Sequence, residues 1–252
     1  MTNETPTTTA AVTGADEQQL TAHDYDQWLT QSSFSARWAR FWFAPCRTLW
    51  LNTPARQLPR ALGLQPADKI MEIGCGYAGL LLYLHRKVGF THALEGLDCS
   101  ALMVERARAE VQARGMAGRI HLQQGLATQL PYPDASFDVV LNTYVIKHLS
   151  DATLAIMLKE VMRVLKPGGS LCVWEAAPSH LNFMQVWNMR LLQMGVSLVC
   201  LRTDAQLRAI LETAGFTGLQ PYGQGHFYFY YPPLRRAGFI ARKPLSSEKQ
   251  PL

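Results

Sequence analysis

The feature that most constrains the fold is the stretch KIMEIGCGYAGLLLYL, which runs from Lys69 to Leu84. An apolar run ends at Glu72, small residues crowd around Cys75, and apolar periodicity then resumes. This order predicts a buried strand, a glycine turn and a helix. Such a turn places backbone N–H groups and a helix N-terminus at the carboxyl edge of a sheet, where small residues let a ligand touch the main chain.

Short apolar runs and amphipathic segments alternate through the middle of the chain. The runs predict buried strands at 69–73, 93–97, 119–123, 137–142 and 170–175, and the segments between them predict helices at 79–88, 100–114 and 151–165. This alternation predicts a parallel sheet that is covered by helices on both faces.

The regions on either side of this pattern differ in composition. The polar, Thr-rich start predicts a disordered tail over residues 1–20, and helical periodicity then predicts a helical cap over 21–64. The main domain is expected over 65–252, with an apolar helical insertion at about 180–201. Its aromatic C-terminal part, punctuated by Gly and Pro, predicts two late strands.

Size and cysteine usage exclude several classes of protein. The 252 residues are 48% hydrophobic, enough to bury one full core, but no run reaches the length that a membrane-spanning helix needs. The N-terminus lacks the basic start and apolar core of a secretory signal. Five cysteines without CxxC spacing predict neither a disulfide framework nor a metal site, so a reducing cytoplasm is the expected compartment.

The formal net charge of +5 is unevenly distributed. No acidic residue lies between Asp26 and Asp68, a segment that also holds four of the six tryptophans. Its arginines are Arg37, Arg40, Arg47, Arg56 and Arg60. A basic, aromatic segment suits an anionic membrane surface, nucleic acid or an acidic substrate. The other interpretation is an amphipathic cap whose aromatic side chains pack on the core, and the sequence leaves both open.

Two carboxylates give the predicted turn its chemistry. Glu72 ends the first strand, and a carboxylate above a glycine turn suits a cationic amino group better than a pyrophosphate. Asp98 ends the next strand, where a carboxylate can accept both hydroxyls of a ribose. A ligand with an amine and a ribose but no phosphate fits S-adenosylmethionine better than a dinucleotide. The hypothesis requires both acids to face one cleft.

Five segments resemble, in order and spacing, the class I S-adenosylmethionine-dependent methyltransferases. They are IMEIGCGYAG, LEGLDCSALMVERAR, ATQLPYPDASFDVVLNTYVIKHLSD, EVMRVLKPGGSLCVWE and LRAILETAGF. The resemblance covers about residues 66–220 and is greatest to the small-molecule branch that includes ubiquinone/menaquinone C-methyltransferases. It implies an α/β, Rossmann-like fold with a seven-stranded, mostly parallel sheet whose last strand is antiparallel. The implied cofactor is S-adenosyl-L-methionine, with S-adenosyl-L-homocysteine as the product.

The resemblance also implies roles for individual residues. Glu72 would hold the methionine amino group and Asp98 the ribose. The other implied cofactor contacts are Gly74, Cys75, Gly76, Cys99, Met103, Leu126, Ala127 and Asn142. Leu126 stands where the family often has an aspartate that accepts the adenine amine, and a leucine side chain cannot do so. Adenine is therefore expected on main-chain groups of Leu126 and Ala127, or on the neighbouring Gln124 or Thr128.

Methyl transfer from a sulfonium is an in-line displacement, so an enzyme mainly aligns the acceptor and removes a proton where one is present. His148 is the preferred candidate base because histidine titrates near neutral pH, although a helix-capping or core histidine is the alternative. Tyr144 is a candidate for orienting the acceptor or contacting the cofactor. The resemblance further suggests that Tyr25 folds over the cofactor.

The leading hypothesis is a methyltransferase for a small, apolar or aromatic acceptor, because the aromatic cap and the apolar insertion suit the roof of an apolar pocket. One alternative is an RNA methyltransferase, although NTYV after the fourth strand lacks the signature of nucleic-acid amine methylation. A second is a membrane-surface or partner-binding module without methyl transfer, with contact through residues 28–60. A third uses the cofactor to donate another group.

Overall fold

The computed structural model describes residues 13–43, 53–179, 182–193, 195–227 and 234–245. The helices are α1 (Gly14–Thr30), α2 (Phe34–Phe43), α3 (Thr53–Ala61), α4 (Gly79–Val88), α5 (Ala101–Ala113), α6 (Asp151–Val164), α7 (Asn182–Leu192) and α8 (Asp204–Thr213). The strands are β1 (Ile70–Ile73), β2 (Leu94–Asp98), β3 (Ile120–Gln124), β4 (Phe137–Thr143), β5 (Leu165–Ala177), β6 (Thr217–Pro221), β7 (Gly225–Phe227) and β8 (Leu234–Arg242). A short 3-10 helix spans Ile146–His148.

The strands form one mixed sheet in the order β3-β2-β1-β4-β5-β8-β6. The first five are parallel to their neighbours, whereas β8 runs antiparallel to β5 and β6. The predicted Rossmann-like, mostly parallel sheet with an antiparallel late strand is therefore confirmed. The described residues contain one strand more than predicted, because the short β7 also pairs with β8.

Alternating side chains of the central strands build a core on each face of the sheet. On β4, Val140 packs into the cluster under α6 and α8, whereas Val139 and Leu141 pack into the cluster under α4 and α5. This two-residue period is that of a strand buried on both faces. The two layers fix the strand ends at the carboxyl edge of the sheet.

Polar caps set the helix boundaries that the sequence indicates. The Ser100 and Ser150 hydroxyls accept hydrogen bonds from backbone N–H groups in the first turns of α5 and α6. Thr203 forms a capping box with Gln206 at the start of α8. Each cap satisfies a donor that the helix itself leaves unpaired.

The N-terminal region departs from the sequence prediction in one respect. Helix α1 begins at Gly14, so the prediction of a disordered tail over residues 1–20 is wrong for 14–20. Thr13 and Asp16 form a reciprocal capping box that starts this helix despite its polar composition. Residues 1–12, and 44–52 with Trp50, lie outside the described residues. Among the residues described, every helix is too short or too polar to cross a bilayer.

Candidate functional site

A cleft opens at the carboxyl edge of the sheet, where the strand order reverses between β1 and β4. In open α/β sheets this is the place where ligands bind. Glu72 and Asp98 both line the cleft, together with the turn over residues 74–77 that follows β1. The two acids thus meet in one cleft, as the sequence hypothesis requires.

The glycine turn is shaped by two different demands. Gly74 has φ +73°, and a Cβ at this position would lie 2.1 Å from Cγ2 of Val145, so Gly74 is needed for packing. Gly76 has φ +49°, and a Cβ there would find no atom within 4 Å. The space beside Gly76 is open to the cleft. A ligand can therefore approach the main chain closely there, as the sequence predicts.

Glu72 is buried at the floor of the cleft. Burial, followed by the charge of Asp98, raises the pKa of its carboxyl well above the usual 4.5. Within the described part of the chain, its Oε2 atom has no hydrogen-bond partner. A buried acceptor of this kind is costly unless a donor or cation meets it, so Glu72 fits the amino group of a bound ligand.

Asp98 is oriented by the backbone of two turns. Its Oδ2 accepts from the N–H of Gly76 at 2.9 Å, and its Oδ1 accepts from the N–H of Ser100 at 3.0 Å. Burial raises the pKa of the Asp98 carboxyl, against the effect of these hydrogen bonds. A carboxylate oxygen can accept more than one hydrogen bond, so the fixed Asp98 side chain fits a pair of ribose hydroxyls.

The wall beyond Asp98 contains a residue that sequence reasoning missed. Gln18 of α1 lines the cleft beside Gly125, Ala127 and Met103, and its Oε1 accepts from the Ala127 N–H at 2.6 Å. The contact joins residues 109 positions apart, so no local pattern could reveal it.

Two residues that the sequence predicts next to adenine, Gln124 and Thr128, form hydrogen bonds with other protein groups. Gln124 donates to the Cys99 carbonyl at 3.1 Å, and Thr128 accepts from Gln18. Of the described residues, Leu126 and Asn142 are not part of the cleft wall. Asn142 is buried and donates to the Ile73 carbonyl at 3.3 Å.

His148 lies at the cleft in a fixed hydrogen-bond geometry. Its Nδ1 is 3.0 Å from the Leu198 carbonyl, and its Nε2 is 3.0 Å from the Tyr25 hydroxyl. A carbonyl can only accept, so Nδ1 carries the proton and Nε2 accepts from Tyr25. Burial, followed by the charge of Lys147, holds the pKa of His148 well below the usual 6.5. The site therefore presents a neutral imidazole at neutral pH.

Tyr144 follows β4 in the left-handed region, with φ +58°, which is uncommon for a bulky residue and typical of functional turns. Its carbonyl accepts a hydrogen bond from Lys147 Nζ. Lys147 also pairs with Glu175 at 3.4 Å, and both are buried. This ion pair fixes the turn that carries Tyr144 and His148 at the cleft.

The two cysteines of the cleft are poorly suited to covalent chemistry. Burial, followed by the charge of Asp98, raises the pKa of the Cys75 and Cys99 thiols. The thiolate is the reactive form, so both remain neutral thiols at neutral pH. They serve as small wall residues of the cleft.

Residues 70–169 match the family model described as a methyltransferase domain. The chain is 34% identical over 129 residues to the demethylmenaquinone methyltransferase of Geobacillus kaustophilus. The aligned region covers 51% of this chain and 54% of that protein. It is 33% identical over 113 residues to the ubiquinone/menaquinone biosynthesis C-methyltransferase of Vibrio parahaemolyticus, covering 45% and 43%. The chain thus spans about half the length of these curated relatives.

Solved structures share the fold at low identity. A S-adenosylmethionine-dependent methyltransferase from Methanosarcina mazei has a TM-score of 0.61 at 22% identity, over 73% of this chain and 95% of that chain. The cyclase SpnF has a TM-score of 0.61 at 20% identity, over 77% and 82%. The second name shows that this fold alone does not define a reaction. Residues 70–169 therefore match a methyltransferase domain, and over about half its length the chain is similar to ubiquinone/menaquinone C-methyltransferases.

Proposed function

We propose that this chain transfers a methyl group from S-adenosylmethionine to a small, apolar or aromatic acceptor. The observation that carries the proposal is the single cleft in which Glu72, with its unpartnered Oε2, and Asp98 flank the open backbone at Gly76. An ammonium group would pair with the Glu72 carboxylate, and ribose hydroxyls would donate hydrogen bonds to Asp98. The residues present therefore fit the cofactor that the resemblance implies.

The order of the strand ends supports a proposed arrangement of subsites. Along the carboxyl edge, β4, β1, β2 and β3 are neighbours, spaced about 4.8 Å apart. Glu72 on β1 would hold the amino group, Asp98 on β2 the ribose, and the wall after β3 the base. The acceptor then belongs near Tyr144 and His148, after β4. When bound, the cofactor would supply an electrophilic methyl group, and the chain would supply alignment and proton removal.

The Tyr25–His148 pair is the group proposed to move a proton. His148 is neutral, and its Nε2 lone pair points at the Tyr25 hydroxyl, which also lines the cleft. A proton leaving the acceptor would pass to the Tyr25 oxygen while the Tyr25 proton moves to Nε2, or would reach Nε2 directly. The charge of Lys147 opposes the resulting imidazolium, so the pair would return its proton to solvent readily.

The class of acceptor is inferred from the wall and from the relatives. Apolar side chains of Leu80, Val145 and Leu149 line the cleft. The relatives are named for demethylmenaquinone and ubiquinone/menaquinone, which are apolar aromatic or quinonoid compounds. These observations favour a compound of that chemistry over a charged metabolite, so demethylmenaquinone is a suitable first probe.

Calorimetry with S-adenosylmethionine, followed by transfer of a labelled methyl group to a panel of aromatic compounds, tests the proposal. The wild-type chain is expected to bind the cofactor, and Glu72→Gln is expected to weaken binding about 10- to 100-fold through loss of a charge-assisted hydrogen bond. Glu105→Gln, at an exposed position of α5, is the matched control. Cofactor binding without labelling of any acceptor would favour another use of the cofactor. No cofactor binding would favour a binding module.

We also propose that α2 contacts an anionic lipid surface. Phe34, Trp38 and Phe41 are spaced to share one helix face, with exposed fractions of 80%, 45% and 47%. The surrounding segment carries arginines and no acid between Asp26 and Asp68. Exposed aromatic residues combined with cations are typical of helices that lie in a membrane interface. Such a contact would place the cleft near apolar acceptors dissolved in the bilayer.

A further inference from the structure

We propose that Gln18 recognises the adenine amine of the cofactor, an inference that rests on the proposed function. Leu126 has no side-chain acceptor at the position where the family often places an aspartate, and it is not part of the described cleft wall. The Ala127 N–H, the expected main-chain contact, already donates to Gln18 Oε1 at 2.6 Å. The polar group that faces the cleft at this point is therefore the Gln18 amide.

The position of Gln18 matches the base rather than the ribose or the methionine part. Its side chain is only 4% exposed and reaches the cleft from α1. It contacts the loop after β3, one strand beyond Asp98 and two beyond Glu72. With the amine at β1 and the ribose at β2, the group that follows along the edge is the base.

The orientation of the Gln18 amide is determined by its partners. Nε2 donates to the Gly14 carbonyl at 2.9 Å and to Thr128 Oγ1 at 2.8 Å, while Oε1 accepts from Ala127. A backbone carbonyl cannot donate and a backbone N–H cannot accept, so a reversed amide would lose both of these backbone contacts. Oε1 is thus fixed as the acceptor at the cleft wall.

This fixed acceptor predicts selectivity among purines. An amide oxygen has two lone pairs, and of the described residues only Ala127 donates to Oε1. The second lone pair can accept from the exocyclic amine of adenine. Hypoxanthine has a carbonyl oxygen there, which would face the second lone pair of Oε1 with no donor between the two acceptors. The site should therefore prefer adenosyl over inosyl ligands.

The test is calorimetric titration of the full chain with S-adenosylhomocysteine and S-inosylhomocysteine. Wild type is expected to prefer the adenosyl compound. Gln18→Met keeps an unbranched side chain but removes the acceptor, so it should lower adenosyl affinity about tenfold and bring the two affinities close together. Gln19→Met, the next residue of α1 and exposed, is the matched control and should keep the wild-type preference.

The ratio of the two affinities separates recognition from a packing effect. If Gln18→Met merely loosened α1, both ligands would weaken alike and the ratio would stay at the wild-type value, which would overturn the inference. A wild-type protein without purine preference would overturn it as well. Both results leave the proposed function intact, whereas failure of wild type to bind either compound would overturn the proposed function too.

Discussion

Glu72 shows how a single residue couples ligand binding to the stability of the free protein. Burial and the charge of Asp98 raise its pKa above the value of 4.5 that the unfolded chain has. The stabilisation that the protonated Glu72 side chain gives the folded protein is therefore fully present below pH 4.5. It is lost as the pH rises through the pKa that Glu72 has in the folded state. A cationic ligand reverses this cost by favouring the ionised form.

We predict that Glu72→Gln stabilises the ligand-free protein at alkaline pH while it weakens cofactor binding. Glutamine keeps the shape of the protonated acid but cannot ionise, so its advantage over wild type should grow as the pH rises above 4.5. Thermal unfolding over a pH series measures the effect, with Glu105→Gln as the control. A variant less stable than wild type throughout the series would show that Glu72 is already satisfied without ligand.

The two glycines of the turn should respond differently to alanine. Gly76→Ala should cost roughly 1–2 kcal/mol from its left-handed backbone and should block the ligand, because the methyl group enters the open space of the cleft. Gly74→Ala adds the clash with Val145 and should cost roughly 1–3 kcal/mol more. Urea unfolding and calorimetry measure both changes. Unimpaired cofactor binding by Gly76→Ala would contradict the proposed approach of ligand to main chain.

His148→Asn tests the proposed base. Its amide can still donate to Leu198 but cannot accept a transferred proton, so methyl transfer to an acceptor that must lose a proton should slow about 10²- to 10⁴-fold, with cofactor affinity retained. Because the pKa of His148 is depressed in the folded state, the neutral imidazole contributes to the stability of the fold. This contribution is fully present above pH 6.5 and is lost as the pH falls from 6.5 through the folded-state pKa. The stability difference between wild type and variant should therefore shrink in acid.

Rates and unfolding free energies over a pH series measure both effects of His148→Asn. His23→Asn, at an exposed position of α1, is the control and should change neither. A rate loss without any pH-dependent stability difference would mean that the imidazole is not held neutral by burial.

Among the elements, α1 does more than cap the fold. Four of its side chains accept hydrogen bonds from four separate loops around the cleft, and a fifth, Tyr25, donates to His148. The accepting pairs are Glu17 with Ser150, Gln18 with Ala127, Asp24 with Ser197 and Asp26 with Ser100. Helix α1 is therefore a cover held by polar contacts around the cleft as well as by the apolar cluster of Leu29 with Tyr77 and Met103.

Thr13→Ala should loosen this cover from its N-terminal end. The change removes the capping box with Asp16, so the first turn of α1 should lose about 1 kcal/mol, and hydrogen exchange of its amides should accelerate about fivefold. S-adenosylhomocysteine should restore protection if Gln18 contacts it. Thr30→Ala, exposed at the other end of the helix, should leave the first turn unchanged. Equal exchange in both variants would mean that the cap does not hold α1.

Local patterns predicted the elements that local physics determines. The carboxyl ends of β1 and β2, which carry Glu72 and Asp98, and the turn at Gly76 all follow from residues close in sequence. The contacts of Gln18 with Ala127 and of Tyr25 with His148 span 109 and 123 positions. They depend on how α1 docks across the sheet, which hydrophobic periodicity does not encode. Sequence thus predicted the floor of the cleft and, through the resemblance, Tyr25 above it, but not the contacts that hold α1 there.

At the scale of the whole molecule, charge and exposed apolar surface coincide at one segment. The cations between Asp26 and Asp68 lie in the same segment as the aromatic face of α2, although Arg40 also donates to the Leu29 and Gln31 carbonyls that end α1. That contact fixes α2 against α1, the cover of the cleft. A surface that binds α2 would therefore lie beside α1, the helix that covers the cleft.

This arrangement predicts salt-sensitive binding to anionic vesicles. Phosphatidylserine-containing vesicles should co-sediment the protein, phosphatidylcholine vesicles should do so weakly, and added salt should reduce binding as the Debye length shortens. Phe34→Ser should weaken binding about tenfold, because an exposed aromatic residue would no longer enter the interface. Ile156→Ser removes a 46%-exposed apolar residue from α6 instead and is the control. Equal binding by both variants would contradict the role of α2, and salt-sensitive binding to RNA in place of vesicles would assign the cations to nucleic acid.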